Sequence, residues 1–400
     1  MPKKMHLQDA KSEIARPKKM RDINKQIVLN YIRDRSPLSR ADIARATDLQ
    51  RSTVSAIVES LKSADLVEEI GEGTSTGGRK PTMLQIKRGK PVAIGVDLTP
   101  TQTSIAVADL SGTVVDEYSF PTSSDAEIMT EKIVGGISKF NDEYRNEDLE
   151  VGISLPGITD NAFGTARFIP YFNWREWEIG KKIYEETGLD VTIDNDANAI
   201  ALAELWFGRE KIEKVRNFIT VLVADGIGTG IIFDGQVYRG ENGAAGEFGH
   251  MIVGEKGPVR CSCGGYRCWE AFASETSLKS RFAALNNGAG IDPKSVSMDH
   301  LIKLADSGDE NAVKSLLNTS EYLGIGISNL IVGFSPQAII VSGNITRVWD
   351  LIEDSLYGVV EKSIRRKLPR TVIRASSLEG SPTLMGAIGL VLANKFSSAH

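Results

Sequence analysis

The sequence predicts an α/β protein in two unequal parts: a small helical head closed by a β-hairpin, and a larger body of two α/β lobes. Three observations predict it. Residues 21–86 carry short amphipathic helical patterns followed by two β-prone runs. From residue 92 on, strand-like and helix-like segments alternate around glycine-rich turns, the pattern of layered α/β structure with a cleft between lobes. And 400 residues exceed what one core usually organises.

The composition, 41% hydrophobic and 25% charged, is that of an ordinary globular protein. No apolar run approaches the ~18 residues of a membrane span. The start, Met1 to Asp9, is charged without an apolar stretch behind it, so a signal peptide is not expected and the chain is expected in the cytoplasm, with no membrane partner. The net charge of −5 hides an asymmetry. Residues 1–90 hold 19 Lys and Arg against 11 Asp and Glu, a net +8, and the remainder carries −13. A basic head on an acidic body suits nucleic-acid binding by the head, although a solvated charged tail gives the same numbers.

Residues 1–20, rich in Lys, are expected to form a flexible basic tail. Within 21–90, Asp22–Arg33 reads as a helix with Ile23, Ile27, Leu29 and Ile32 inward. Ser39 is an N-cap for Arg40–Ala46, with Leu38, Ile43 and Ala44 inward. Thr47-Asp48-Leu49 turns the chain into a helix from Arg51 to Ser63 that buries Val54, Ile57, Val58 and Leu61. Its other face offers Gln50, Arg51, Ser52, Thr53 and Ser55, short donors and acceptors plus one cation, suited to phosphates and major-groove base edges. Two strands, Leu66–Ile70 and Met83–Ile86, flank a glycine-rich tip where Gly77 and Gly78 free Arg79 and Lys80 to reach a minor groove or phosphates. The whole is a winged helix-turn-helix pattern whose partner is expected to be operator DNA; a three-helix interaction domain without nucleic acid is the alternative.

The body follows a break at Lys87–Pro91. Val92–Asp97 and Ser104–Leu110 read as a hairpin. Then come strand Val151–Leu155, helix Ile179–Thr187, strand Val191–Ile193, helix Asp196–Trp206, strands Phe218–Ala224 and Gly230–Phe233, helix Ala312–Gly333, strand Ala338–Ser342 and helix Thr383–Phe396. The expected division is 91–196 with 382–397 as one lobe and 197–381 as the other, the second carrying the dimerisation surface.

All three cysteines fall within eight residues, at Cys261, Cys263 and Cys268. An odd, clustered set argues against disulfides and for one local task. With His250 they make a complete Cys₃His set, which suits a closed, structural Zn²⁺ site, and Gly264 and Gly265 let the loop wrap an ion. A redox role for the thiolates is the alternative.

Gly246-Glu247-Phe-Gly-His250 followed by Cys-x-Cys-Gly-x-x-x-Cys-x-Glu270, Asp194-Asn195-Asp196-Ala197-Asn198, Ser154-Leu-Pro-Gly157 and Gly78-Arg79-Lys80-Pro81 together resemble the ROK (repressor, ORF, kinase) family. They resemble its repressor branch, which holds xylose-, N-acetylglucosamine- and glucose-type repressors. Arg267 stands where the family usually has Gly. The resemblance runs from about residue 20 to 395. It implies a two-lobed actin/hexokinase-like body and a sugar held by Asn195, Asp196, Glu247, His250 and Glu270. Amides and carboxylates of this kind chelate adjacent hydroxyls, and zinc would preorganise His250 and Glu270. Taken alone, Asp194 and Asp196 read equally as caps of the following helix.

Two functions compete at this point. In a sugar kinase, Asp196 is the catalytic base for attack on ATP held with Mg²⁺. In a sensor, the same cleft binds a sugar effector and moves the DNA heads. Kinases of the family carry Asp-x-Gly-Gly-Thr at the first hairpin; here it is Asp97-Leu98-Thr99-Pro100-Thr101, without either glycine. Asp225–Gly230 stays glycine-rich, which suits phosphates and a plain strand connection alike, and Ser342-Gly343-Asn344 has one glycine where the kinases have more. A sugar-responsive repressor that does not use ATP and Mg²⁺ is therefore expected, as a homodimer or homotetramer reading two half-sites. Induction, co-repression and control by a partner protein stay open.

Overall fold

The computed structural model describes residues 17–396 apart from 75–79, 146, 162–163, 209–214, 287–289, 365–369 and 379. The chain forms two compact units, Met1–Lys90 with Ala393–His400, and Pro91–Leu392.

In the smaller unit α1 (Pro17–Arg35) precedes β1 (Leu38–Ser39), α2 (Arg40–Thr47), α3 (Arg51–Ser63), β2 (Val67–Glu72) and β3 (Thr82–Ile86). Helix α1 starts at Pro17, inside the segment expected to be flexible and five residues before Asp22. Leu29 and Ile32 face inward as expected, together with Val28, but Ile27 is 38% exposed. The inward stripe is set by the Val28/Ile32 spacing, which turns Ile27 away by one residue's rotation. The side chain of Ile23 lies outside the described residues. Ser39 caps α2 in a reciprocal box: its Oγ accepts from Asp42 N–H (3.3 Å) while Asp42 Oδ2 accepts from Ser39 N–H (2.9 Å). Residues 38–39 are also a strand, unforeseen in the sequence, in a sheet of order β1-β3-β2. This is a helix-turn-helix with a wing. The chain's last residues group with it, and the Arg33 guanidinium sits 4.9 Å from the Phe396 ring centroid.

The larger unit opens with β4 (Pro91–Leu98), β5 (Gln102–Asp109), β6 (Val114–Pro121), α4 (Ala126–Glu143) and β7 (Glu150–Leu155). A small antiparallel sheet follows: β8 (Ile158–Asp160), β9 (Thr165–Ile169) and β10 (Trp174–Trp177). Then α5 (Ile179–Thr187) leads to β11 (Val191–Asn195), and the main sheet of this lobe runs β11-β7-β4-β5-β6. Helix α6 (Asp196–Phe207) crosses to the second lobe: β12 (Phe218–Val223), β13 (Ile227–Phe233), β14 (Gln236–Val237), α7 (Trp269–Ala273), α8 (Glu275–Leu285), α9 (Met298–Asp306), α10 (Glu310–Phe334), β15 (Ala338–Ser342), α11 (Trp349–Ser363) and β16 (Val372–Ala375). Its sheet runs β14-β13-β12-β15-β16, and α12 (Pro382–Phe396) closes the chain. Both sheets centre on a strand that pairs antiparallel with the next strand and parallel with a later one.

Each lobe has its own apolar core, one around β4, β7 and α4, the other around β12, β15, α8 and α10. Between the sheets lie α6 and α12. Residues 197–204 of α6 are all buried, so this helix is enclosed around its whole circumference, with Asn198 and Glu204 the polar members of the run. Strand β13 begins at Ile227, three residues before the expected Gly230. Gly228 and Gly230 read as turn residues, but a Cβ at Gly230 would lie 2.2 Å from the Ala197 carbonyl oxygen, so they are where α6 packs on the strand.

Candidate functional site

On the head, α3 turns Val54, Ile57, Val58 and Leu61 inward, which fixes the opposite face. Gln50, Arg51 and Ser52 are exposed there, with Thr53 and Ser55 half-buried. Gln50 occupies the N-cap without using its side chain on the helix. Arg51 has no ion pair among the described residues, whereas Arg40 is held by Glu59 (2.7 Å) and Glu69 (2.9 Å) and Lys62 by Glu69 (2.8 Å). The cations beside α3 are thus neutralised, and the one at its N-terminus is not, an arrangement suited to anionic phosphates. On the wing, exposed Lys80 lies 3.7 Å from Glu72. Arg79, Gly77 and Gly78 lie outside the described residues.

In the body, one ligand atom from each of His250, Cys261, Cys263 and Cys268 lies within 4.8 Å of the others, so the cluster can hold a metal ion. Its loop is closed by a bridge between Ile252 and Cys268 and by Trp269, fully buried, whose Nε1 donates to the Tyr322 carbonyl (2.8 Å). The fit extends to the surroundings. At Gly265 a Cβ would sit 3.5–3.6 Å from two of the sulfurs, and the Gly265 N–H holds the Cys263 thiol below its ordinary range. The His250 Nδ1 faces Cys261 Sγ at 3.2 Å, while its Nε2 faces Glu247 Oε2 at 3.5 Å. Arg267, exposed, turns away from the cluster toward the Gly254 carbonyl.

The cluster also fixes Glu270. Between the first two cysteines, Ser262 donates its N–H and its Oγ to Glu270 Oε1, both at 2.9 Å. The other carboxylate oxygen occupies space that only a glycine at 226 leaves: a Cβ there would be 2.5 Å from Glu270 Oε2 and 3.4 Å from the Tyr171 hydroxyl. Gly246 and Gly249 do the same for the short 3-10 turn Glu247–His250, where Cβ atoms would lie 2.4 and 2.2 Å from carbonyl oxygens of β13. Glu247 and His250 are thereby laid against β13.

Asp196 opens α6 at the cleft. Burial raises its carboxyl, with the charges of Asp97 and Glu247 adding, to about 7. Burial raises Asp97 to about 6 against the bonds it accepts from Thr383 (2.6 Å) and Ser381 (3.2 Å). Partial burial also raises Glu247, with His250 opposing and Glu270 adding. Asn195 caps α6 through its Oδ1, which accepts from Ala197 N–H (2.9 Å), and its Nδ2 donates to the Gly157 carbonyl (3.0 Å). One amide hydrogen and one lone pair remain. Asp194 is buried and fully engaged by Arg239, Asn161 and Asn198. It braces the segment.

Asp196 and Tyr171 line an interlobe cleft of about 600 Å³; Asn195, Glu247, His250 and Glu270 do not. Two of them act on its lining by charge, Glu247 on Asp196 and Glu270 on the Tyr171 hydroxyl. Sequence reasoning missed Tyr171. It sits in the β9–β10 turn, and the Trp174 and Trp177 that anchor this hairpin in the first core were the available signal.

The chain matches the ROK family over residues 93–394 and the MarR family over residues 27–79. It belongs to the ROK family. Its likeness spans whole regulators: it is 32% identical over 378 residues to a xylose repressor of Bacillus subtilis, covering 93% of this chain and 96% of that one. It is 29% identical to the DNA-binding transcriptional dual regulator NagC of Escherichia coli, covering 93% of each. Among solved structures, a ROK family transcriptional regulator, a homologue of the E. coli MLC protein, shares the fold at a TM-score of 0.77 over 94% of this chain and 97% of the other, at 24% identity. A ROK family glucokinase from Streptomyces griseus, in complex with glucose and AMPPNP, matches at 28% identity and a TM-score of 0.66. It covers 75% of this chain and 98% of its own.

Proposed function

We infer that the chain is a sugar-responsive DNA-binding transcriptional regulator, a repressor of carbohydrate-utilisation genes acting in the cytoplasm as a homodimer or homotetramer. The observation that carries this is the presence in one chain of a winged helix-turn-helix, its Arg51 unpaired among the described residues, and a cleft lined by Asp196 and Tyr171, on which the charges of Glu247 and Glu270 act, with His250 3.5 Å from Glu247. Carboxylates, an imidazole and a phenol ring give a pyranose directional acceptors, a donor and a flat face. Full-length similarity to repressors supports the same reading.

Zn²⁺ fits the Cys₃His set in a structural role. When bound, it supplies folding energy to the loop and no open coordination site. His250 then offers Nδ1 to the ion and turns Nε2 toward Glu247, so that one sugar hydroxyl can bridge the pair. Ser262 aligns Glu270. The sugar shifts DNA affinity by binding one arrangement of the heads better than the other.

One observation favours a second reading, an ATP-dependent sugar kinase: a carboxyl near 7 at Asp196 is what a general base needs at neutral pH. Incubation with ATP, Mg²⁺ and a panel of pentoses, hexoses and N-acetylated amino sugars separates the two. ADP release abolished by Asp196→Asn establishes the kinase. Thermal stabilisation by a sugar without ADP, with a change in operator retention on gels, establishes the sensor.

A further inference from the structure

We propose that the inner half of the cleft is a second sugar subsite, so that the effector is a disaccharide or longer chain and not a single pyranose. The proposal deepens the sugar reading above and rests on it. The cleft continues past Asp196 and Tyr171 to the carboxyl ends of β12, β15 and β16, where Asp225, Ser342, Asn344 and Ser376 line it. Its volume of about 600 Å³ falls in the range that holds ligands well above one ring in size.

Two polar atoms there ask for a partner. Ser342, fully buried, has an Oγ with no hydrogen-bond partner among the described residues, and so has Oδ1 of Asp97, 4% exposed. Buried polar atoms left unpaired are costly, and both belong to residues of the cleft wall. A carboxylate oxygen accepts only, and a hydroxyl both donates and accepts, so a ligand bearing hydroxyls answers both.

The electrostatics point the same way. Asp97, Asp196, Asp225 and Glu275 put four carboxyl groups on the wall. Among the described residues the one cation in the lining, Arg347, is already paired with Asp299 (2.5 Å). Such a wall offers acceptors, and protonated carboxyls as donors, to the hydroxyls of a neutral polyol. The first hairpin turn has no phosphate cradle. Thr99 N–H and Oγ1 both donate to the Gln102 carbonyl (3.0 and 2.7 Å), Gln102 N–H returns to Thr99 Oγ1 (3.1 Å), and Pro100 has no N–H. Thr99 and Gln102 thus spend their donors within the turn, which leaves only Thr101 on it to face a phosphate.

The test is calorimetric titration of the full chain with xylose against xylobiose and N-acetylglucosamine against diacetylchitobiose. It uses wild type and two variants that fill the inner half from opposite walls, Thr101→Trp and Asn344→Trp, both at exposed lining positions. One disaccharide should bind at least about tenfold tighter than its monosaccharide, a difference of about 1.4 kcal/mol. Either variant should erase that gain and leave monosaccharide affinity within about twofold. Equal affinity for the two lengths, equal loss of both in the variants, or displacement of sugar by AMPPNP with Mg²⁺ overturns the second subsite. Binding of neither length overturns the sugar reading itself, an outcome distinct from binding of the monosaccharide alone.

Discussion

Replacing Asp196 with Asn should stabilise the body, and by an amount that depends on pH. Asp196 Oδ1 accepts from Ala197 N–H at 2.8 Å, a bond an amide oxygen keeps, so the substitution removes charge and little else. The folded protein holds this carboxyl at about 7 against an ordinary 3.8. The folded state therefore binds more protons than the unfolded chain between those values, and stability falls as pH rises through the window. A shift of about three units corresponds to about 4 kcal/mol of penalty above pH 7, shrinking to under about 2 kcal/mol at pH 5. Asp97, raised to about 6 by burial, adds a pH dependence of the same sign that the substitution leaves in place. All five tryptophans lie beyond Pro91, so fluorescence during denaturant unfolding reports the body alone. The expected result is a clear gain for Asp196→Asn at pH 8 and a smaller one at pH 5. A gain independent of pH, or no gain at pH 8, would refute the claim that burial and like charges hold this group protonated.

Three further outcomes follow from single contacts. Ser39→Ala removes the capping box of α2 and should cost the head about 1 kcal/mol, seen as faster amide exchange in α2 with tryptophan fluorescence unchanged. Cys263→Ala, or treatment with a strong chelator, should abolish stoichiometric zinc and weaken sugar-induced thermal stabilisation, because the loop that holds Glu270 through Ser262 loses its anchor; retained zinc with unchanged sugar response contradicts this. Arg51→Ala should weaken operator binding across sequences and make the slope of log K against log[salt] shallower by about 0.9, the loss of one phosphate contact.

Where chemistry was written in local spacing, the sequence disclosed it. The Cys₃His cluster and the polar face of α3 follow from residues a few positions apart, and the structure assembles both. What depends on distant neighbours was hidden. Ile27 looks as apolar as Val28, and only packing decides which one faces in. The glycines of 226–230 suit a phosphate loop and a plain strand connection alike in the sequence; in the structure Gly226 makes room for Glu270 and Tyr171, and Gly228 and Gly230 for α6. Asn195, expected to reach a sugar, also spends one amide hydrogen on the Gly157 carbonyl and one lone pair on Ala197 N–H, a second duty legible only once β7 and β11 lie side by side. Tyr171 could not be found by motif, because its meaning comes from a hairpin fold that brings it over Gly226.

The two interlobe helices offer a sharper test of how the lobes are joined. Helices α6 and α12 cross at small residues, Ala199 and Ala203 on one and Gly386 and Gly389 on the other. The two glycines are one turn apart but differ in what they face. A Cβ at Gly386 would lie 2.6–2.8 Å from the Ala199 backbone and side chain, which cannot give without moving α6, whose N-terminus carries Asp196. At Gly389 the nearest atom is 3.7 Å away, an ordinary contact. Gly386→Ala should therefore destabilise the body by about 1–3 kcal/mol through overpacking, while Gly389→Ala should be neutral or stabilise by up to about 1 kcal/mol through the helix preference of Ala over Gly. If the crossing is also the surface on which the lobes turn when the cleft closes, Gly386→Ala should blunt the effect of sugar on operator binding and Gly389→Ala should not. Denaturant unfolding and operator titration with and without sugar read both effects. Equal behaviour of the two variants would show that the crossing is loose enough to repack, and that α6 does not link Asp196 to the motion of the lobes.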